Sequence, residues 1–154
     1  MGKREIRCPR SVSPKRRLTK RRIALIQLEQ SLRLLEEGDS VSALTLAGAA
    51  EEILGRIASR KGYEPRVEYH AAWLGSLYDW AKKPRPTRKQ LVSTINELRN
   101  HLKHQDDGRN ISVEADFEFG AEDLILRSLF NYFNAFGCYP ASKRLRHWFE
   151  NMTL

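Results

Sequence analysis

The sequence predicts an all-α fold: an up-and-down helical bundle of four to five main helices with a short C-terminal helix. Apolar residues recur every three or four positions along most of the chain, which is the spacing of one helix face. Capping residues and glycines divide these stretches at the points where helices begin and end. Only one short stretch alternates like a strand, so the chain has no series of strands with which to build a sheet.

The first two predicted helices meet at Gly38. The first begins at Thr19, and its apolar face contains Leu25, Leu28, Leu32 and Leu35. The second is capped by Asp39 and covers residues 40–61. Its middle, LTLAGAAEEILGRI, is apolar or small on most sides, which is typical of a helix at the centre of a bundle.

The next two helices follow prolines. Pro65 precedes a third helix with Trp73, Leu77 and Trp80, which ends before Pro84. The fourth begins at a capping box formed by Thr87 and Gln90 and continues to residue 104. Its predicted core face is Leu91, Ile95, Leu98 and Leu102.

The last third of the chain contains one strand-like stretch and two helices. Residues 111–119, ISVEADFEF, alternate between apolar and polar side chains, which indicates an extended strap or a lone short strand. A fifth helix is predicted over residues 121–136, ending at Gly137, and a short sixth over residues 142–151.

The positive charge is concentrated at the N-terminus. Residues 1–22 contain 10 of the 27 lysines and arginines and one of the 19 acids, a balance of +9, so the other residues sum to −1. We therefore expect a disordered basic tail over residues 1–17 and a single helical domain over residues 18–154. Such a tail favours binding to RNA or DNA over a membrane surface, and a merely solubilising tail is the alternative.

Other features argue against a membrane or secreted protein. No apolar run approaches the roughly 20 residues that a transmembrane helix needs, and the N-terminus lacks the apolar part of a signal peptide. The two cysteines, Cys8 and Cys138, are far apart and do not have zinc-ligand spacing. We expect a cytoplasmic protein without a membrane partner, a disulfide framework or a cofactor.

A polar cluster, RNHLKH at residues 99–104, ends the fourth helix. At about 100° per residue, Asn100 and His104 project away from the core face, whereas His101 lies on the other flank. Arg99 lies at the edge of the outer face and is long enough to reach it, and Lys103 lies on it. The alternative is an ordinary helix end, since the helix dipole favours cations there.

The polar cluster resembles the motif of the HEPN (higher eukaryotes and prokaryotes nucleotide-binding) family. Four residues separate Arg99 from His104, and asparagine directly follows the arginine. Residues 46–55, LAGAAEEILG, and 121–133, AEDLILRSLFNYF, are similar to bacterial HEPN-like helical proteins. The resemblance implies a metal-independent endoribonuclease, used as a toxin or defence effector. It also implies a homodimer in which two motif helices meet in one cleft, with an antitoxin as a further partner.

The chemistry of RNA cleavage suggests a role for each residue. Histidine transfers protons near neutral pH, and arginine has a planar fork suited to phosphate oxygens. We therefore assign His104 to proton transfer, Arg99 to phosphate stabilisation and Asn100 to orienting the phosphate or His104. The supporting or phosphate-binding candidates are Lys103, Glu51 and His101.

Glu51 is predicted to be at least partly buried, because it shares a helix face with apolar residues. A buried carboxylate needs a cationic partner, and either Arg99 or Arg56 could supply it. Further along the chain, a local basic patch could form on the fourth helix from Arg85, Arg88, Lys89 and Lys103.

Two other interpretations apply to these residues. His101 and His104 have the spacing of a metal-binding pair, with Asp106 and Asp107 nearby, but a stable site needs further ligands, so no metal site is expected. The alternative to a nuclease is a catalytically inactive HEPN-like dimer that binds RNA, a nucleotide or a protein partner. The near-neutral body of the chain favours this alternative, whereas the motif favours catalysis.

Overall fold

The computed structural model of the chain describes residues 15–103 and 112–152. Within this part there are seven helices and no strand, which confirms the all-α prediction. The helices are α1 Lys20–Glu36, α2 Ser40–Arg60, α3 Arg66–Trp80, α4 Arg88–Ile95, α5 Glu97–Lys103, α6 Phe117–Phe136 and α7 Lys143–Met152. None of the described helices combines the length and apolarity needed to cross a bilayer.

The central helix is α2, as its composition predicted. It packs along α1 on one side and α6 on another, and its buried residues run from Ala43 to Ala58. The core around it is completed by residues of α1, α6 and α7, including Leu28, Leu32, Ile125, Leu129 and Leu145. Small residues on α2 let these neighbours approach closely, which is why this helix can be buried on several sides.

Three predicted helix starts are confirmed in detail. Thr19, Asp39 and Thr87 each accept a hydrogen bond from the backbone N–H three residues further on, which satisfies a donor that the helix leaves free. Gln90 completes the capping box by accepting from the backbone N–H of Thr87 at 2.8 Å. These three helices therefore begin at the residues that the sequence indicates.

The predicted fourth helix is interrupted at Asn96, which separates α4 from α5. Its backbone has φ −96° and ψ 6°, and its buried side chain accepts a hydrogen bond from Arg127 Nη2 at 3.2 Å. A buried guanidinium needs an acceptor, and the irregular turn lets Asn96 supply one. The prediction of one continuous helix up to residue 104 was therefore wrong at this position.

The predicted strap or strand at residues 111–119 is also corrected. Residues 112–116 form a non-helical connection, and α6 begins at Phe117, four residues earlier than predicted. Asp116 caps α6 by accepting from the backbone N–H of Phe119 at 2.9 Å. The alternation of Phe117 and Phe119 resembled a strand, but the capping aspartate makes them the first turn of a helix. Ile111 lies outside the described residues.

The outward face of α3 carries an apolar stripe. Trp73 is 65% exposed and Trp80 is 84% exposed, and Tyr69 and Leu77 are exposed beside them. Their spacing of three or four residues places all four on one face. We call these four residues the α3 stripe. The exposed areas of these four side chains add up to roughly 500 Å². Contiguous apolar patches of this size mark interaction surfaces.

Candidate functional site

Arg99 and Glu51 form an ion pair between α5 and α2. Arg99 Nη1 donates to Glu51 Oε2 at 3.0 Å, and the two side chains are 14% and 4% exposed. The predicted burial of Glu51 is confirmed, and its partner is Arg99 rather than Arg56. Arg56 instead pairs with the neighbouring Glu52 at 2.7 Å.

Gly48 makes room for the arginine on the surface of α2. A methyl group at Gly48 would lie 2.8 Å from Cδ and 2.9 Å from Cγ of Arg99, closer than carbon atoms approach without a shift. The aliphatic stem of Arg99 therefore crosses α2 where a side chain is missing, and its guanidinium continues to Glu51, three residues along the same helix.

The guanidinium of Arg99 lies at a cavity of about 240 Å³. Besides the pairs Glu51–Arg99 and Glu52–Arg56, the walls are Gly55, Ser59, Pro65, Val67 and Asn96. Arg99 Nε is buried and has no hydrogen-bond acceptor among the described residues. A guanidinium has five N–H donors, so Arg99 retains donors beyond the one that Glu51 holds.

Asn100 lies elsewhere. It lines a separate, larger cavity of about 560 Å³ on the outer face of α4 and α5, together with Ser93, Thr94 and His101. His101 Nε2 is 4.0 Å from Glu97 Oε1. The prediction that Arg99 shares the outer face with Asn100 was therefore wrong, because the buried carboxylate on α2 draws the guanidinium inward.

His104 and the side chain of Lys103 lie outside the described residues. The structure accordingly brings together Arg99 and Glu51, and on another face Asn100 and His101.

The predicted basic patch on the fourth helix is largely neutralised. Arg85 Nη1 lies 2.9 Å from Asp79 Oδ2, and Arg88 Nη2 lies 2.5 Å from Glu68 Oε1. Both arginines are thus paired with carboxylates of α3. Lys89 is exposed.

Beside Asn96 lies a partly buried polar cluster that the sequence did not predict. Arg127 of α6 is 1% exposed and lies 3.4 Å from Asp123 through Nε and Oδ2. Asp123 Oδ1 is 3.8 Å from His70 Nδ1. Burial is the main cause that lowers the pKa of His70, with Arg127 and Arg66 acting in the same direction and Asp123 against them.

Asn131 extends this cluster toward α2. Its Oδ1 accepts from the backbone N–H of Arg66 at 2.7 Å, which ties the start of α3 to α6. The sequence contains only a weak indication of this cluster: Arg127 and Asn131 are one helical turn apart beside the apolar face of α6. Polar residues at the edge of an apolar face are usually solvated, and the spacing of these two does not show that they are buried.

Chemically, the Arg99 cavity can hold an anionic group. Arginine binds phosphate oxygens through parallel N–H donors, and Glu51 restricts the orientation of the guanidinium before any ligand arrives. No group of three histidine, cysteine or acidic side chains among the described residues is arranged to hold a metal ion.

Comparison with known proteins gives no relative for this chain. No protein-family model matches it, and neither a curated protein nor a solved structure is significantly similar to it.

Proposed function

We propose that the chain is a metal-independent endoribonuclease of HEPN type, acting as a toxin or defence effector. The observation that carries the proposal is the Arg99–Glu51 pair, in which a buried carboxylate orients a guanidinium at the edge of a cavity. Fixed donors aimed at a phosphate stabilise the charge that develops on it during cleavage, without reorganisation at that moment.

In this proposal the 2′-oxygen of the RNA attacks the adjacent phosphorus. The bond from phosphorus to the 5′-oxygen breaks, giving a 2′,3′-cyclic phosphate and a 5′-hydroxyl. One proton leaves the 2′-hydroxyl and one reaches the 5′-oxygen, and His104 transfers one of these two protons. Arg99 stabilises the charge on the phosphate oxygens.

Asn100 receives a narrower role than the motif alone implied. Since it lines a different cavity from Arg99, it is poorly situated to hold the same phosphate. Asn100 precedes His104 by four residues, which is about one helical turn, so we assign it to orienting His104. Lys103 and His101 remain supporting candidates that add positive potential.

Cleavage of a fluorescently labelled single-stranded RNA in EDTA tests the proposal. The parent protein is expected to cleave, and Arg99→Ala and His104→Ala are each expected to lose at least about a hundredfold in rate. An otherwise identical substrate with 2′-deoxyribose should remain intact. Absence of cleavage by the parent, or full activity of His104→Ala, would refute the nuclease.

A second candidate is a catalytically inactive dimer that binds RNA, a nucleotide or a protein partner such as an antitoxin. It is favoured by the charge balance of −1 over residues 23–154 and by the pairing of Arg99, Arg85 and Arg88 with carboxylates. Salt-dependent RNA binding without cleavage would support it over the nuclease.

For the homodimer, we propose a contact through the α3 stripe with a second copy of the chain. The stripe offers roughly 500 Å² on each copy, so two copies together bury about 1,000 Å², the lower end of the range for specific interfaces. This contact differs from the meeting of motif helices that the family resemblance implies.

The order of side chains along α3 supports self-association. In an antiparallel pair related by a two-fold axis level with residues 74 and 75, Trp73 of one copy lies opposite Ser76 of the other. Leu77 then lies opposite Ala72. Both small residues are exposed in the single chain, so Trp73 and Leu77 each meet a small side chain, whereas Tyr69 and Trp80 lie opposite each other.

A further inference from the structure

Five cations lie where α1 begins and α2 ends. Lys20, Arg56 and Arg60 line one cavity of about 360 Å³. Arg21 Cζ and Lys61 Nζ, at the same helix ends, lie 4.3 and 4.4 Å from the centre of the Phe136 ring. We call this region the basic end.

The lining of this cavity combines half-buried apolar residues, Ala49, Ile53 and Ile57, with exposed cations. Glu52 is the one carboxylate in the lining, and it accepts from Arg56 at 2.7 Å. Lys20 and Arg60 form no ion pair within the described residues, so the lining carries a net positive charge.

The basic end adjoins the Arg99 cavity. Glu52 and Arg56 line both cavities and stand between them. Residues 52, 56 and 60 follow one another at single helical turns, so a chain of polar groups runs along α2 from the basic end to Arg99. At 1.5 Å per residue, the distance from Glu51 to Arg60 is about 14 Å.

We infer that single-stranded RNA binds along this face of α2. Lys20, Arg56 and Arg60 contact its phosphates, a base rests on Ile53 and Ile57, and the strand continues toward Arg99. The identity of the ligand as RNA rests on the proposed function, whereas the location rests on the cations and the shared cavity walls.

The lining of the cavity favours a single strand over a lipid surface. Its apolar residues are half-buried, so they offer an unstacked base a contact surface but give a lipid bilayer little further area to bury. A paired base would be hidden inside a duplex. Lys15, Arg16 and Arg17 are exposed just before α1 and extend the positive charge beyond the cavity.

Fluorescence anisotropy with a labelled 2′-O-methyl single-stranded RNA tests the inference, because this probe lacks the attacking hydroxyl and reports binding alone. The double variant Lys20→Gln/Arg60→Gln is expected to bind about tenfold more weakly. Its salt dependence should also decrease, since losing two phosphate contacts lowers the slope by about 1.4. Both side chains are exposed, so the fold should be retained.

The matched control is Lys83→Gln/Lys89→Gln, which removes the same charge from the α3–α4 region, where both lysines are exposed. Its affinity should stay within twofold of the parent. Equal weakening by both double variants, or parent-like binding by Lys20→Gln/Arg60→Gln, overturns the inference. So does tighter binding to vesicles containing phosphatidylserine that depends on the same two cations.

The outcomes for binding and for catalysis are separable. If the parent fails to cleave RNA but Lys20→Gln/Arg60→Gln still weakens probe binding selectively, the nuclease is refuted and the binding face stands. If the parent cleaves but the double variant binds and cleaves normally, the nuclease stands and the binding face is refuted.

Discussion

Arg99 on α5 donates a hydrogen bond to Glu51 on α2 at 3.0 Å, across 48 positions of the sequence. Both side chains are largely withdrawn from water, so each depends on the other for compensation of its charge. The pair therefore joins the helix that carries the motif to the central helix of the bundle. These residues therefore have a structural role in stability and a proposed functional role in phosphate binding. The substitutions Glu51→Ala and Gly48→Ala test the structural role.

Glu51→Ala should destabilise the protein by about 2 kcal/mol, because it leaves a mostly buried guanidinium without its partner. This value is below the usual cost of breaking a buried pair, since Arg99 is partly exposed and can turn toward water. The double variant Glu51→Ala/Arg99→Ala should be less destabilised than the two single changes combined. Urea denaturation of all four proteins gives the coupling free energy, expected at about 1–2 kcal/mol. Strict additivity would contradict a stabilising pair.

Gly48→Ala tests whether the missing side chain is needed for Arg99. In the parent we expect a loss of about 1 kcal/mol, because the added methyl group collides with the arginine stem. In the Arg99→Ala background the same substitution should stabilise by up to about 1 kcal/mol, since alanine favours a helix over glycine. The same sign in both backgrounds, measured by urea denaturation, would show that Arg99 does not decide the cost.

The sequence predicts those features of the structure that depend on interactions between residues close together in the chain. The helix starts at Thr19, Asp39 and Thr87 were predictable, because capping involves residues only three positions apart. The break at Asn96 was not, since it depends on Arg127, 31 positions away.

The same reasoning explains the result for the candidate site. The helical wheel correctly predicted that Glu51 is buried, and Asn100 is half-buried in a cavity on the outer side of α4 and α5. The wheel placed His101 on another flank, although His101 lines the same cavity as Asn100. The helical wheel could not predict that Arg99 turns inward, because the direction of a long side chain depends on the residues of the neighbouring helix. Here Gly48 leaves space for the arginine stem, and Glu51 provides a carboxylate for its guanidinium.

The stability of the protein should fall as the pH is lowered from 7.5 to 5.5. Burial lowers the pKa of His70 below its ordinary value of 6.5, so the unfolded chain binds this proton at a higher pH than the folded protein does. The neutral imidazole therefore contributes stability above pH 6.5, and that contribution is lost as the pH falls. Thermal unfolding should show a flatter pH profile for His70→Gln. An NMR titration midpoint for His70 at or above 6.5 would contradict the lowered pKa on which this prediction rests.

The α3 stripe predicts self-association that two exposed tryptophans control. The double variant Trp73→Lys/Trp80→Lys should shift the protein to the mass of one chain in light scattering. At a two-fold contact, this double variant introduces four like charges, two from each copy, and removes most of the apolar area of the α3 stripe. Because both side chains are exposed in the single chain, its helical content and thermal unfolding should change little.

Ser93→Arg is the matched variant on the other candidate interface, since Ser93 is exposed and lines the cavity that contains Asn100. A contact through the α3 stripe predicts that Ser93→Arg keeps the mass of two chains. The opposite pattern, with Ser93→Arg monomeric and the tryptophan variant dimeric, would assign the interface to the face of α4 and α5. A parent protein with the mass of one chain at every concentration would refute the homodimer.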